Sequence, residues 1–447
     1  MEINSLKATN VFNYLDIDIS FNEDITFIVG FNGSGKTTAI RLINAILTPS
    51  PKELNLIPFD EASVSLTHNK EIVTIRAKKE GGHISISMPD QKKIKGKFNI
   101  PILDFEELEY RYEQKERGEN YFKSLILEER ENTILKFILD LPSPYFLGLD
   151  RKIFGIDPFE AQMRSKRILS HRRRSPSHYQ RILTGNLGTG LIEVQELLYE
   201  TMEQIRRVAD RENERQRRNL LISSFKYTRI DDVFLGKHDF TIEQGLIERR
   251  GELEDTLKQL DMFEGDAEKE ITKFFESLQN LLDRRDNDDD DKKKGMDVEW
   301  IINKAQINRI NEFLQIIDNT KNKIDKISSR LDSFLNIVNS YYNETGKELR
   351  IDPLGRAVLK RPKGGVAGLD ALSSGEKQIL IIFANSILRS GNEKVFIIDE
   401  PELSLHLNWQ ERFVDDIKSL KTGAQFIFAT HSPEIISGYE EKCKEVA

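Results

Sequence analysis

The stretch Gly30-Phe31-Asn32-Gly33-Ser34-Gly35-Lys36-Thr37-Thr38 constrains this chain more than any other. It fits G-x-x-x-x-G-K-[ST], a loop whose backbone N–H groups wrap the phosphates of a nucleotide. In that loop the lysine reaches the β/γ oxygens and the Thr37 hydroxyl holds Mg²⁺. Asn32, Gly33, Ser34, Gly35, Lys36, Thr37 and Thr38 are therefore the candidate phosphate cradle. The flanks agree. Ile25-Thr26-Phe27-Ile28-Val29 reads as a short buried strand, and residues 38–46 as a helix whose positive end faces the phosphates.

A second stretch supplies carboxylates. Val395-Phe396-Ile397-Ile398-Asp399-Glu400-Pro401-Glu402 is an apolar run ending in acids. A buried parallel strand puts Asp399 at its carboxyl end, where open α/β sheets hold ligands, so that Asp399 shares Mg²⁺ with Thr37. Glu400 then stands beside the attacking water as general base. Two weaker signals follow. Leu372-Ser373-Ser374-Gly375-Glu376 precedes an apolar helix, and it reads either as an anion site made by free N–H groups or as a plain capping box. Gln425-Phe426-Ile427-Phe428-Ala429-Thr430-His431 is a buried strand ending in a histidine, and a lone histidine is usually a structural side chain.

Elsewhere the periodicity maps the organisation. Residues 3–20 predict two strands that pair beside the P-loop strand, and Pro49-Ser50-Pro51 ends the P-loop helix. The runs 62–67, 71–77 and 83–88 predict an antiparallel meander. Residues 105–140 read as helical, and 144–151 as a strand ending in a polar turn. Arg164-Ser165-Lys166-Arg167 and His171-Arg172-Arg173-Arg174 mark a basic loop, suited to phosphate contact or to plain solvation. Helices are predicted over 190–223 and 241–283, then a charged tip over 286–295, then a third helix to Tyr342. In that third helix Ile310, Phe313, Ile317, Thr320, Ile324, Ile327, Leu331, Phe334, Val338 and Tyr341 alternate spacings of three and four, a heptad seam. An antiparallel hairpin of roughly 60 Å follows at about 1.5 Å per residue, either a protruding arm or a packed lobe.

Charge and cysteine content exclude some classes. Lys+Arg at 66 against Asp+Glu at 74 leaves a net charge of −8, so any nucleic-acid surface is local. The single cysteine, Cys443, excludes an internal disulfide framework and a cysteine-built zinc site. No run approaches the roughly 18 apolar residues of a spanning helix. The expectation is a soluble, cytoplasmic chain with no membrane partner.

The order of the motifs, P-loop, Ser-Ser-Gly-Glu, Asp-Glu and strand-His, resembles that of ATP-binding-cassette ATPases. Within them, Asp399-Glu400-Pro401-Glu402-Leu403-Ser404-Leu405-His406 is similar to the SMC, RecF and overcoming-lysogenization-defect group. The resemblance covers about residues 1–60 and 350–435. It implies an α/β fold, an ABC-ATPase (P-loop NTPase) head with an antiparallel β subdomain and a helical, coiled-coil insertion. On it, Ser373, Ser374, Gly375 and Glu376 become the signature motif, Ser404-Leu405-His406 the D-loop and His431 the switch histidine. The catalytic set is then Glu400, His431 and Lys36, with ATP and Mg²⁺ as cofactors. Ser374 and Glu376 stand where transporters usually have Gly and Gln. No clear Q-loop glutamine is present, and the equivalent turn offers Asp150 and Arg151.

The implied division is 1–163 for the N-terminal part of the head, 164–189 for the basic loop, 190–345 for the helical insertion and 346–447 for the C-terminal part of the head. The resemblance also implies a homodimer of heads or a higher oligomer, because each ATP lies between the P-loop of one head and the signature of the other. The chain stops at Ala447, shortly past His431, which reads as leaving no room for the Toprim nuclease domain of some relatives. The chain most resembles the PtuA family, the ATPases of the Septu antiphage defence system, which act with an HNH nuclease partner of the PtuB kind. The alternative is a RecF- or SMC-like repair clamp that binds DNA directly.

Overall fold

A computed structural model describes residues 1–91, 94, 96–102, 124–148, 153–154, 188–224, 241–259, 266–285, 290–362, 364–389, 395–420 and 423–446. The basic loop at 164–174, the turn at Asp150 and Arg151 and most of the helix expected over 105–140 lie outside the described residues. The chain forms two compact units, Met1–Glu200 with Leu331–Ala447, and Thr201–Arg330.

The first unit holds three sheets. β1 (Glu2–Val11), β2 (Leu15–Ser20) and β3 (Ile25–Val29) lead into α1 (Lys36–Leu47) and α2 (Pro51–Leu56). Then come β4 (Glu61–His68), β5 (Glu71–Glu80), β6 (His83–Ser87), β7 (Phe98–Pro101), α3 (Thr133–Asp140), β8 (Tyr145–Leu147) and β9 (Ile153–Phe154). The expected meander is present as the central part of an antiparallel sheet, ordered β2-β1-β4-β5-β6-β7. β2 alternates buried with exposed residues and β4 buried with half-buried ones, as strands of one-sided sheets do.

The pairing corrects one expectation: β1 pairs with β2 on one side and β4 on the other, and neither β1 nor β2 pairs with the P-loop strand. β3 is buried almost throughout, and its neighbours lie in a different sheet, ordered β15-β3-β14-β13-β8-β9. Its members β13 (Val395–Asp399), β14 (Gln425–Ala429) and β15 (Cys443–Glu445) run parallel to β3 and β8. Continuous burial on both faces suits unbroken apolar runs such as Val395 to Ile398. Phe27, Phe428, Phe426 and Phe396 stack along this sheet at centroid spacings of 5.5, 5.9 and 5.0 Å.

The second unit is helical. It is built from parts of α4 (Gly188–Ser224) and α8 (Asp290–Tyr342), with α5 (Thr241–Glu248), α6 (Arg250–Gln259) and α7 (Asp266–Arg285) between them. Leu246, Leu253, Phe275, Ile307, Phe313 and Ile317 share one apolar core. The helix expected over 241–283 is interrupted at Arg249, between Gly245 and Gly251, where low helix propensity meets a side chain bound to Asp318 and Glu252. The charged tip also differs from its expectation, since α8 already begins at Asp290, acids at a helix start being favoured by the helix dipole.

Along α8, Phe313, Ile317, Thr320, Leu331, Phe334, Val338 and Tyr341 are buried and Ile310, Ile324 and Ile327 half-buried, which makes the seam a packed face. The end of α8 is anchored in the first unit. Tyr341 lies under the Arg412 guanidinium at 4.1 Å and edge-on to Trp409 at 5.3 Å. Beyond it come β10 (Glu348–Ile351), β11 (Ala357–Lys360) and β12 (Val366–Ala367), which form a small antiparallel sheet. The remaining helices are α9 (Ser374–Leu388), α10 (Leu407–Ser419) and α11 (Pro433–Ile436).

Candidate functional site

The loop between β3 and α1 is shaped by its glycines. Gly30, Gly33 and Gly35 have φ of 151°, 85° and 98°, where side chains are strained. A Cβ on Gly35 would also lie 2.5 Å from Leu15 Cδ2, so the hairpin of β1 and β2 packs beneath the loop. Gly35 caps α1 with no side-chain acceptor, and the first turn carries no acid, which leaves N–H groups free for an anion. Asn32 and Gly33 are exposed, and Ser34, Thr37 and Thr38 are half-buried. Lys36 is buried and curls over the loop, donating to the Gly30 carbonyl at 2.7 Å and to that of Phe31 at 3.2 Å. Those carbonyls hold the ammonium where a polyphosphate would compete for it.

Asp399 ends β13 in the same sheet as β3, with β14 between them. Both its carboxylate oxygens are buried and lack a hydrogen-bond partner. Burial pushes its pKa up to about 6, with Glu402 adding to the rise, while the nearby Thr37 hydroxyl and Lys36 ammonium pull it down. Two orphaned carboxylate oxygens beside a threonine hydroxyl form a hard oxygen set of the kind Mg²⁺ takes, so Thr37 and Asp399 fit that ion.

Glu400 sits at φ 51°, a left-handed conformation rare for a side-chain-bearing residue, and its N–H donates to Ala429 O at 2.8 Å. Its carboxylate meets the imidazole of His431, with Glu400 Oε2 2.5 Å from His431 Nδ1. Burial, then repulsion from Glu402, raises the Glu400 carboxyl above the ordinary range, against the pull of His431. A residue the sequence reading left without a role joins them. Glu402 is buried and accepts from the Thr430 hydroxyl and from the N–H groups of His431 and Ser432. Its signal is a third acid, directly after Pro401, on a turn leaving a buried strand.

The start of α9 is built differently. Ser373 caps it: its hydroxyl accepts from Glu376 N at 3.3 Å, while Glu376 Oε2 accepts from Ser373 N at 2.7 Å, a reciprocal capping box. Glu376 is only 1% exposed and also binds Lys347 Nζ at 2.7 Å and Thr345 Oγ1 at 2.8 Å. This corrects its assignment as a nucleotide contact, because the carboxylate faces inward and is fully taken up. Ser373 and Ser374 are exposed. Gly375 is pressed against the next motif, since a Cβ there would lie 2.4 Å from Ser404 O. His406 caps α10, accepting from Asn408 N at 3.4 Å.

The structure thus gathers Lys36, Thr37 and Asp399 into one cluster and Glu400 with His431 into an adjoining one. Among the described residues, no hydrogen bond joins Ser373 or Ser374 to the P-loop of the same chain.

The family model described as AAA ATPase domain matches residues 1–436. This chain belongs to that family. An AAA ATPase domain chain of this kind is also similar to the Retron Vc95 probable ATPase of Vibrio cholerae serotype O1 biovar El Tor, 25% identical over 201 residues. A shorter match, 37% identical over 73 residues, is to the methionine import ATP-binding protein MetN 2 of Enterococcus faecalis (strain ATCC 700802 / V583). These matches cover 36% and 16% of this chain and span only 38% and 20% of the relatives.

Among solved structures, the Smc head domain with an extended coiled coil bound to the C-terminal domain of ScpA, from Pyrococcus furiosus, is 16% identical with a TM-score of 0.41. It covers 98% of this chain and 91% of that one. The SMC head domain from Thermotoga maritima gives 12% and 0.37, over 98% and 92%. Likeness at that level carries no statement about what this chain binds. No helix among the described residues is long and apolar enough to cross a membrane.

Proposed function

We propose that this chain binds ATP with Mg²⁺ and hydrolyses it, and that two heads close around the nucleotide. The observation that carries the reading is the placing of Thr37 and Lys36 beside the orphaned Asp399 carboxylate, with the Glu400 and His431 pair at the neighbouring strand end. Lys36 exchanges its two loop carbonyls for β- and γ-phosphate oxygens, and the free N–H groups of the loop take the rest. Thr37 and Asp399 would hold Mg²⁺, which when bound would offset charge on the phosphates. Glu400 accepts a proton from the attacking water as that water's oxygen bonds the γ-phosphorus and the bond to the leaving ADP oxygen breaks. The His431 imidazole lies against the Glu400 carboxylate and orients it.

Ser373 and Ser374 are the groups left over. They are exposed, sit at a helix start and serve no phosphate in their own chain, so they complete the site of a second copy. In this reading the paired heads belong to a Septu-like antiphage complex and hold and regulate an HNH nuclease partner. The sequence resemblance supports it, together with the likeness to a retron's ATPase. The test is to co-express the chain with its genomic neighbour and weigh the assembly with and without ATP. An HNH protein in an ATP-responsive complex supports the reading. A chain that purifies alone and binds duplex DNA with a steep salt dependence favours the repair clamp instead.

A further inference from the structure

We propose that Glu402 is a positioning residue that holds His431 and its loop against Glu400; the proposal rests on the ATPase reading above. Its oxygen Oε1 accepts three hydrogen bonds from consecutive residues at the end of a different strand. They come from Thr430 Oγ1 at 2.7 Å, His431 N at 2.9 Å and Ser432 N at 3.1 Å. The same oxygen lies 3.2 Å from His431 Nδ1, the ring nitrogen that meets Glu400. One buried carboxylate therefore fixes both the backbone direction of His431 and the back of its ring.

The turn bearing Glu402 is itself fastened. Gln378 Nε2 donates to Pro401 O at 2.8 Å, and Leu405 N donates to Glu402 O at 2.9 Å. A second tie runs in parallel, since Gln410 accepts from Ser432 Oγ at 2.8 Å and donates to Leu405 O at 3.0 Å. The left-handed backbone at Glu400 needs such support, because a strained residue keeps its conformation only where its surroundings over-determine it. A carboxylate merely satisfying loop N–H groups would give stability alone. Contact with the nitrogen that meets Glu400 points to orientation of the reacting pair.

The test is steady-state ATP hydrolysis by the full chain, with backbone hydrogen exchange at residues 430–432 read on the same samples. Glu402→Ala is expected to lower kcat by about 10- to 100-fold and leave KM for ATP within about twofold, since the phosphate contacts lie on the P-loop. Glu402→Gln, whose amide oxygen still accepts the three hydrogen bonds, is expected to stay within about fivefold of the wild type. Exchange at 430–432 should speed up in the alanine variant and recover in the glutamine variant.

If Glu402→Ala does not fold, Glu402→Asp replaces it. It keeps the charge but is one methylene short, and it is expected to fall well below Glu402→Gln. Unchanged kcat in a folded alanine variant, equal losses in alanine and glutamine variants, or aspartate outperforming glutamine overturns the proposal. A wild-type chain without ATP turnover contradicts the ATPase reading instead. The exchange data then judge the clamp alone, and unchanged protection in Glu402→Ala overturns it.

Discussion

The two ends of the nucleotide machinery differ in how complete they are. The strand ends of β13 and β14 are wired to one another and lie with the P-loop: Asp399 faces Thr37, Glu400 meets His431, and Glu402 ties the two loops together. The start of α9 is equally well built, but its hydrogen bonds go to its own cap and to Thr345, Lys347 and Tyr342, and among the described residues its exposed serines are hydrogen-bonded to no P-loop group. A single chain thus carries the P-loop and the Asp399, Glu400 and His431 carboxylate and imidazole groups together, and the exposed serines of α9 apart from them. In the two-head reading proposed above, the difference teaches that assembly, rather than local folding, completes the site.

The largest expected effect falls on the catalytic half. Glu400→Gln should retain ATP and remain paired while its turnover drops by about 100- to 10,000-fold, measured as phosphate release beside equilibrium ATP binding. Wild-type turnover in that variant would remove Glu400 as the base and leave the finished half without its chemistry. Next comes Ser374→Glu, which places a charge at the exposed start of α9, the face that the proposed pairing turns toward a second copy's phosphates. ATP should still bind the P-loop, but the ATP-dependent doubling of mass should vanish and turnover should fall by about tenfold or more. Retained pairing would break the distinction between the halves.

Smaller effects sharpen the picture of α9 as pre-built. Ser373→Ala removes one arm of the capping box and is expected to lower unfolding stability by about 1 kcal/mol in a denaturant titration. The smallest concerns pH. Burial raises the Glu376 carboxyl, but Lys347, the Ser373 N–H and the Thr345 hydroxyl outweigh it and leave its pKa below the ordinary value of 4.5. A depressed folded pKa gives stability that is present above 4.5 and lost as pH falls through the folded value. Glu376→Gln should therefore flatten the acid limb of the stability curve, whereas an unchanged limb would show that the cap does not depend on this charge.

Much of this was legible in the sequence because the chemistry is local. The P-loop, the Asp399 and Glu400 pair and the meander each announce themselves within about ten residues through spacing or alternation. The same Ser-x-x-Glu letters that suggested a phosphate contact also spelled a capping box. That the Glu376 carboxylate is taken up inside the chain shows only through Lys347 and Thr345, about thirty residues away, which no local pattern reports. β15 escaped notice because Cys443-Lys444-Glu445 is short and polar, and becomes a strand only by pairing with β3. The sheet that β1 and β2 join is not readable from their sequence, since alternation identifies a one-sided strand without naming its partner. The interruption at Arg249 likewise depends on Asp318, reached only after folding.

One measurement tests the two-half account most directly. Chains carrying Lys36→Ala and chains carrying Ser374→Glu are each assayed for ATP turnover, then mixed in equal amounts and assayed again. In a mixed pair, one site joins the two damaged halves and the other joins two intact halves. Activity in the mixture should therefore rise well above that of either variant alone, up to about half of the wild type, because each mixed pair holds one working site of two. A mixture no more active than the average of the two variants alone would contradict the composite site.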